Sequence, residues 1–228
     1  KPIHSTRIPQ TKFKNTVNLT FCICCTIEVR IFFFCQKKKM NSIIIGLDEA
    51  GVGSLMGMMV AGAVILPSTY DTSKLFDSKT LSEKKRETLF EELLREADVG
   101  IGIVTNEEID ILGMAKCRRL VFHRALDDLD KGADKIIVDG TLFEKYKDID
   151  YECIPKADKT VPCVSAASII AKHYRDTKIL EICDQEQEIA KKYDWRKNKG
   201  YPAPKHLSAI KEFGVVSHHR KSYRPCMV

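Results

Sequence analysis

Two short apolar runs that each stop on an acid constrain this chain more than any other feature: IIIGLDEAG at residues 43–51 and KIIVDG at residues 135–140. Apolar runs this short, broken off by acids and glycine, read as buried strands entering tight turns. If strands 43–48 and 135–139 are neighbours in one sheet, Asp48 and Asp139 stand at the same sheet edge. Ligands of α/β sheets bind at that edge.

The chain from Met40 onward supplies the rest of such a sheet. MMVAGAVIL (58–66) reads as a second strand, antiparallel to the first through a Gly-rich connection. VGIGIVT (99–105) is a third, and a short strand falls near Tyr151–Pro155. One helix is predicted after Ser82 as N-cap, with Leu89, Phe90, Leu93 and Leu94 on one face. NEEIDILGMAKCRRLVFHRALDDL reads as one or two helices. A long helix starts at about Pro162, where proline suits the first turn, and a last one covers about Pro204–Phe213. Strands first and mixed elements afterwards give an α/β class with a mixed sheet flanked by helices and a helical C-terminal segment. Residues 40–228 hold no repeat or low-complexity linker, so one domain suffices.

Residues 1–39 look different. They hold eight Lys/Arg against one acid, Glu28, and an apolar run interrupted by Glu28 and Arg30, too short and too charged for a membrane span. They read as a non-native or disordered leader, with a short targeting or docking arm as the competing reading. Four cysteines fall there and five beyond, with no CxxC pair matched by a His or Cys pair, which argues against structural zinc. Reduced thiols in an intracellular, cytoplasmic protein are the expectation. With 44% apolar and 30% charged residues the composition is that of an ordinary folded chain, not a disordered or membrane one.

The net charge of +6 conceals an asymmetry. Residues 191–228 carry ten Lys/Arg against Asp194 and Glu212, whereas the stretch before them, from Met40, is acidic. Tyr201, Tyr223 and Trp195 are interleaved with those bases, a mixture suited to phosphate contacts and ring stacking on sugars or bases. A solvated, solubilising end is the competing reading.

Glu49 follows Asp48, and Asp158 precedes the long helix. Carboxylates gathered at one sheet edge repel unless a cation neutralises them. Oxygen ligands without His or Cys favour Mg²⁺ or Mn²⁺. Two such ions can cleave a phosphodiester. An aspartate at a strand end is also a common turn former or helix cap, and on the residues alone both readings stand.

GLDEAGVGSLMG (46–57), DSKTLSEKKRE (77–87), VDG (138–140), PKADKTVPCVSAASIIAKHYRD (155–176) and NKGYPAPKHLSAIKEFGVVSHHRKSYRP (198–225) together resemble the ribonuclease HII family, over essentially all of residues 40–228. The resemblance implies the ribonuclease H fold. It also implies cleavage of the RNA strand of RNA–DNA hybrids and nicking 5′ of ribonucleotides embedded in duplex DNA, leaving 3′-hydroxyl and 5′-phosphate ends. It assigns metal coordination to Asp48, Glu49, Asp139 and Asp158, with the attacking water held by two Mg²⁺ or Mn²⁺ ions. The family's Gly-Arg-Gly turn, which reads the 2′-hydroxyl largely through backbone groups, falls on Gly51-Val52-Gly53. Val52 departs from that pattern and cannot donate to phosphate; Ser54 and Met58 are departures nearby. Tyr201 matches the tyrosine that stacks on the sugar, and Lys79 and Lys156 match basic residues near the phosphates. Asp176 and Ser165 are supporting residues by the same resemblance; a helix-surface ion pair competes for the first, and tight helix packing for the second. The resemblance further implies ribonucleotide removal by a single chain without obligatory protein subunits. The related type 3 enzyme carries an additional N-terminal domain that residues 1–39 are too short to supply. Two further readings compete with the enzyme: a nucleic-acid-binding protein of the same fold with weak or lost catalysis, and a subunit needing accessory partners.

Overall fold

The computed structural model describes residues 42–75 and 81–227, so the leader read in residues 1–39 and the loop position Lys79 lie outside the described residues. From Asn41 onward the chain forms one compact unit. Its strands are β1 (Ile44–Ala50), β2 (Met59–Ile65), β3 (Asp98–Val104), β4 (Lys135–Asp139) and β5 (Asp150–Ile154). Its helices are α1 (Glu83–Glu96), α2 (Asn106–Leu112), α3 (Met114–Leu129), α4 (Pro162–Gln185), α5 (Gln187–Tyr193), α6 (Trp195–Asn198) and α7 (Pro204–Phe213).

The strands make one sheet in the order β3-β2-β1-β4-β5. β2 runs antiparallel to β1 and β3, while β4 runs parallel to β1 and β5, so the sheet is mixed as expected. Side chains alternate across it. Ile45 and Leu47 of β1, Met59 and Ala61 of β2 and Ile136 and Val138 of β4 pack with Val121, Phe122 and Ala125 of α3 on one face. On the other face α4 lies directly over β1: a Cβ on Gly46 would fall 2.2 Å from the Cys163 backbone carbon. α1 lies beside α4 there, with Leu89 and Leu93 packed among Ala166, Ile169 and Ile170. The result is three layers, helix–sheet–helix.

Local chemistry sets the element ends. Ser82 Oγ accepts from the Lys85 amide at 3.3 Å and starts α1. Thr105 and Glu108 form a reciprocal capping box that starts α2, which is why β3 stops at Val104. Gly113, at φ 80°, divides the long helical pattern into α2 and α3. Pro162 occupies the first turn of α4 as the sequence requires.

Two expectations need correction. Leu94 does not share the buried stripe of α1; it is exposed, whereas Leu89 and Leu93 are buried and Phe90 stacks against His173 at 4.3 Å. Trp195 is not a stacking surface for nucleic acid. It is fully buried in a C-terminal cluster with Leu55, Met56, Ile179, Tyr193 and Ile210, stacked on Tyr193 at 5.3 Å. That cluster needs α5 and α6, which the sequence pattern did not separate from α4. Among the described residues no helix is long and apolar enough to cross a membrane.

Candidate active site

The parallel register of β1 and β4 pairs Leu47 with Val138 at its end, so Asp48 and Asp139 follow side by side at the carboxyl edge. Both project toward α4, on the face that Gly46 leaves open. Asp48 accepts from the Ser168 hydroxyl of α4 and, at 2.8 Å, from the Glu49 amide. Glu49, one residue on, turns to the opposite face and meets α3: its Oε1 accepts from Arg118 Nη2 at 2.6 Å. These carboxylates open into a cavity of about 420 Å³ that Gly51, Val52, Gly53, Arg86, Lys172 and Tyr201 also line.

Burial dominates the electrostatics here. It pushes the Asp48 carboxyl up to about 8, assisted by the charges of Glu49 and Asp139 and opposed by the Ser168 hydroxyl and the Glu49 amide. Burial also raises Glu49, although the Arg118 guanidinium pulls the other way. Glu49 Oε2 and Asp139 Oδ1 are buried without a hydrogen-bond partner among the described residues. Buried acceptor oxygens of this kind are costly unless something satisfies them, and a hard divalent cation is the natural partner for an all-oxygen set. Among the described residues no group of three or more His, Cys, Asp or Glu is gathered closely enough to hold a metal ion in this structure. An open carboxylate edge suits Mg²⁺ or Mn²⁺, which keep waters and share substrate phosphates rather than demand a full protein cage.

The Gly51-Val52-Gly53 turn and the residues that follow it are tethered from two distant elements. Arg220, fully buried near the C-terminus, donates through Nη1 to the carbonyls of Gly51 (2.7 Å) and Val52 (3.1 Å), and through Nε to Gly57 at 3.0 Å. The Tyr223 hydroxyl donates to the Val52 carbonyl as well. Arg175 of α4, also fully buried, donates to Ser54 Oγ at 2.7 Å and to the carbonyls of Met58 and Lys199. Gly51 sits at φ 95°, and a Cβ there would fall 2.3 Å from Arg175 Nε, so the turn requires glycine twice over. Gly53 is exposed with nothing within 4 Å of a Cβ, leaving its backbone open to the cavity. Val52 packs its side chain against the sheet core.

Tyr201 is placed at the cavity with two cations near its ring, Lys172 Nζ and Arg175 Cζ each 5.1 Å from its centroid. The other predicted residues do not line that cavity. Asp176 forms an ion pair with Lys172 at 2.9 Å and borders an adjoining pocket that shares Arg86. Asp158 is buried in the 3₁₀ turn Ala157–Lys159 just beyond β5, and the Ser165 hydroxyl donates to its carbonyl, tying the turn to the first turn of α4. Lys156 precedes that turn, exposed and at φ 63°. Sequence reasoning missed Arg118, Ser168, Arg86 and the two tethering arginines. Arginine on a helix or in a basic tail reads as a solvated charge, and nothing local signals a partner 69 to 169 residues away, as for Arg118 with Glu49 and Arg220 with Gly51.

An α/β sheet with acids at the carboxyl edge of its parallel pair, helices on both faces and a glycine turn beside those acids is an arrangement suited to a hard cation and the phosphates of a ligand. A family model described as ribonuclease HII matches residues 45–226. The chain is 42% identical over 180 residues to a ribonuclease HII of Porphyromonas gingivalis, covering 78% of this chain and 88% of that one. A Francisella tularensis ribonuclease HII is 38% identical over 187 residues, 82% of this chain and 97% of that protein. Among solved structures, ribonuclease H2 of Pyrococcus horikoshii matches with a TM-score of 0.68 at 27% identity, over 81% of this chain and 95% of that one. A ribonuclease HIII solved in complex with Mn²⁺ shares the fold, with a TM-score of 0.64 at 18% identity, over 82% and 68% of the two chains. The chain belongs to the ribonuclease HII family.

Proposed function

We propose that this chain cleaves the RNA strand of RNA–DNA hybrids and nicks duplex DNA 5′ of an embedded ribonucleotide, leaving 3′-hydroxyl and 5′-phosphate ends. In this reading Asp48, Glu49, Asp139 and Asp158 hold two Mg²⁺ or Mn²⁺ ions. The observation that carries it is the side-by-side placement of Asp48 and Asp139 at the end of two parallel strands, under a glycine turn held from behind by Arg220 and Arg175. Bound there, divalent ions supply an activated water and charge stabilisation at the leaving oxygen.

The protein's own groups do the rest. Ser168 and the Glu49 amide orient the Asp48 carboxylate by hydrogen bonds. The Gly51 and Gly53 backbone admits a ribose to close approach, since no side chain stands over Gly53. Tyr201 offers a ring face for the neighbouring sugar, and Arg86 and Lys172 at the cavity wall meet the phosphates. The reading includes action as a single chain, in the cytoplasm, in ribonucleotide removal.

The test is cleavage of a DNA duplex carrying one ribonucleotide and of a continuous RNA–DNA hybrid, with Mg²⁺, Mn²⁺ or EDTA. Metal-dependent nicking 5′ of the ribonucleotide, with none on all-DNA duplex, is the expected outcome. Duplex binding without cleavage in either metal would overturn it in favour of a binding protein of the same fold, and would direct attention to Val52.

A further inference from the structure

The bond between Arg118 and Glu49 is unlike the other close arginine–carboxylate pair on the same helix. Arg124, six residues further along α3, grips Glu108 with two parallel bonds of 2.9 and 2.6 Å and donates to the Ile103 carbonyl as well. Arg118 holds Glu49 by a single bond of 2.6 Å. Its own Nε and the Glu49 Oε2 are both buried without a hydrogen-bond partner among the described residues. A fork gripping a carboxylate with both prongs is a structural pair, whereas one prong leaves both partners with unused capacity. The guanidinium is also beside the second acid-bearing strand end, for its Nη2 lies 3.6 Å from where a Cβ on Gly140 would stand, next to Asp139.

We propose that Arg118 is a built-in counter-ion of the carboxylate edge, which a divalent ion must displace to gain Glu49. Glu49 is largely buried beside two further acids, and an unpaired charge there is costly. The guanidinium offsets that cost in the ion-free protein. A dication taking Glu49 as a ligand would stand against a fixed positive charge, so the pair must open first. Ions that use Asp48 and Asp139 are spared this competition, because neither accepts a bond from a cationic side chain among the described residues. Arg118 thereby lowers the affinity of the Glu49 side relative to the other side. This inference rests on the metal-binding reading of the site.

The test is calorimetric titration of the full chain with Mn²⁺ alone, in wild type, Arg118→Gln, Glu49→Gln and the double variant. Arg118→Gln should bind Mn²⁺ about tenfold more tightly, the order of effect expected from one charge at this separation in a half-screened site. Its thermal midpoint should fall without ion and recover more than wild type does at saturating Mn²⁺. In the Glu49→Gln background the Arg118 change should leave affinity within about twofold, because the contested ligand is gone. Equal or weaker Mn²⁺ binding by Arg118→Gln would overturn the proposal. Should that variant not fold, Arg118→Met decides with the same sign, since it removes the charge while keeping an unbranched side chain of similar reach. A wild-type chain that binds no Mn²⁺ would instead overturn the metal-site reading itself.

Discussion

Arg220 and Gly51 are 169 residues apart in the chain, yet Arg220 Nη1 donates to the Gly51 carbonyl at 2.7 Å, with no exposed surface on the arginine. The C-terminal segment therefore builds the turn over the carboxylates from behind. Replacing Arg220 with Lys keeps a charge but cannot satisfy the Gly51, Val52 and Gly57 carbonyls together. The expected cost is about 3 kcal/mol of stability, read by urea unfolding. The turn should lose its position while the sheet edge keeps its acids, so KM for a ribonucleotide-containing duplex should rise with Mn²⁺ affinity unchanged. An unaltered KM would show that the tether does not position the turn.

That relationship marks where the sequence stops being informative. Asp48 and Asp139 were legible because a buried strand must end somewhere and its last polar residue announces the edge. Pro162, Ser82 and Gly51 were legible because each meets a local backbone requirement. Arg118, Arg175 and Arg220 were not, since their partners are carbonyls and one carboxylate brought close only by the three-layer packing. Trp195 misled for a related reason: an aromatic among lysines reads as a nucleic-acid contact until α4, α5 and α7 pack around it. The place of Asp158 relative to the other acids was equally closed to pattern, because its turn takes position from β5 and α4 together.

The Asp48 carboxyl, pushed up to about 8 chiefly by burial, ties ion binding to pH. A carboxyl whose folded value is raised favours the fold in its protonated form. That contribution is present below the ordinary aspartate range and is lost as pH rises through about 8, so ion-free stability should fall across this interval. A divalent ion needs the carboxylate and must expel the proton. Mn²⁺ titration at pH 7 in buffers of different ionisation heat should show release of about one proton, declining toward zero at about pH 9. No buffer dependence at pH 7 would mean that Asp48 is already ionised.

His206 and His219 form a buried relay. His219 Nδ1 accepts from the Val216 amide at 3.0 Å, leaving its Nε2–H for His206 Nε2 at 3.1 Å, which also accepts from Trp195 Nε1. His206 Nδ1–H then donates to the Tyr201 carbonyl at 3.0 Å. Both rings must be neutral for this chain of bonds. Burial, then the neighbouring His206, holds His219 down to about 4, and burial lowers His206 too. For a depressed base the unfolded state takes up the proton first, so stability falls as pH drops from the ordinary histidine range toward about 4. Unfolding at pH 6.5 and 5 should differ by at most about 2 kcal/mol from this group. The difference should shrink in His219→Gln, and an unchanged slope would remove His219 as its source.

Asp48→Asn and Asp139→Asn separate chemistry from binding. Each replaces an ionisable acid with a neutral amide at a buried edge where ionised neighbours would oppose one another, so the ion-free protein should be no less stable than wild type. Cleavage should fall by at least about a thousandfold if these oxygens hold the ions, while duplex affinity in EDTA holds or improves. A variant that nicks at the wild-type rate in Mg²⁺ would remove that residue from the ion site.

Val52 is the one residue of the Gly51-Val52-Gly53 turn that carries a side chain, which borders the cavity while packing partly buried against the sheet core. Val52→Arg must withdraw that contact, at a cost of about 1 kcal/mol, and send a guanidinium outward over the carboxylates. One added phosphate contact should tighten duplex binding and steepen the fall of log K with log salt by about 0.9. The gain should be largest at low salt and nearly equal for all-DNA and ribonucleotide-containing duplexes, because a phosphate contact carries no base or sugar information. Affinity measured from about 50 to 200 mM salt on both duplexes decides the matter. An unchanged slope would show that position 52 faces no phosphate, and a gain confined to the ribonucleotide duplex would place it at the sugar instead.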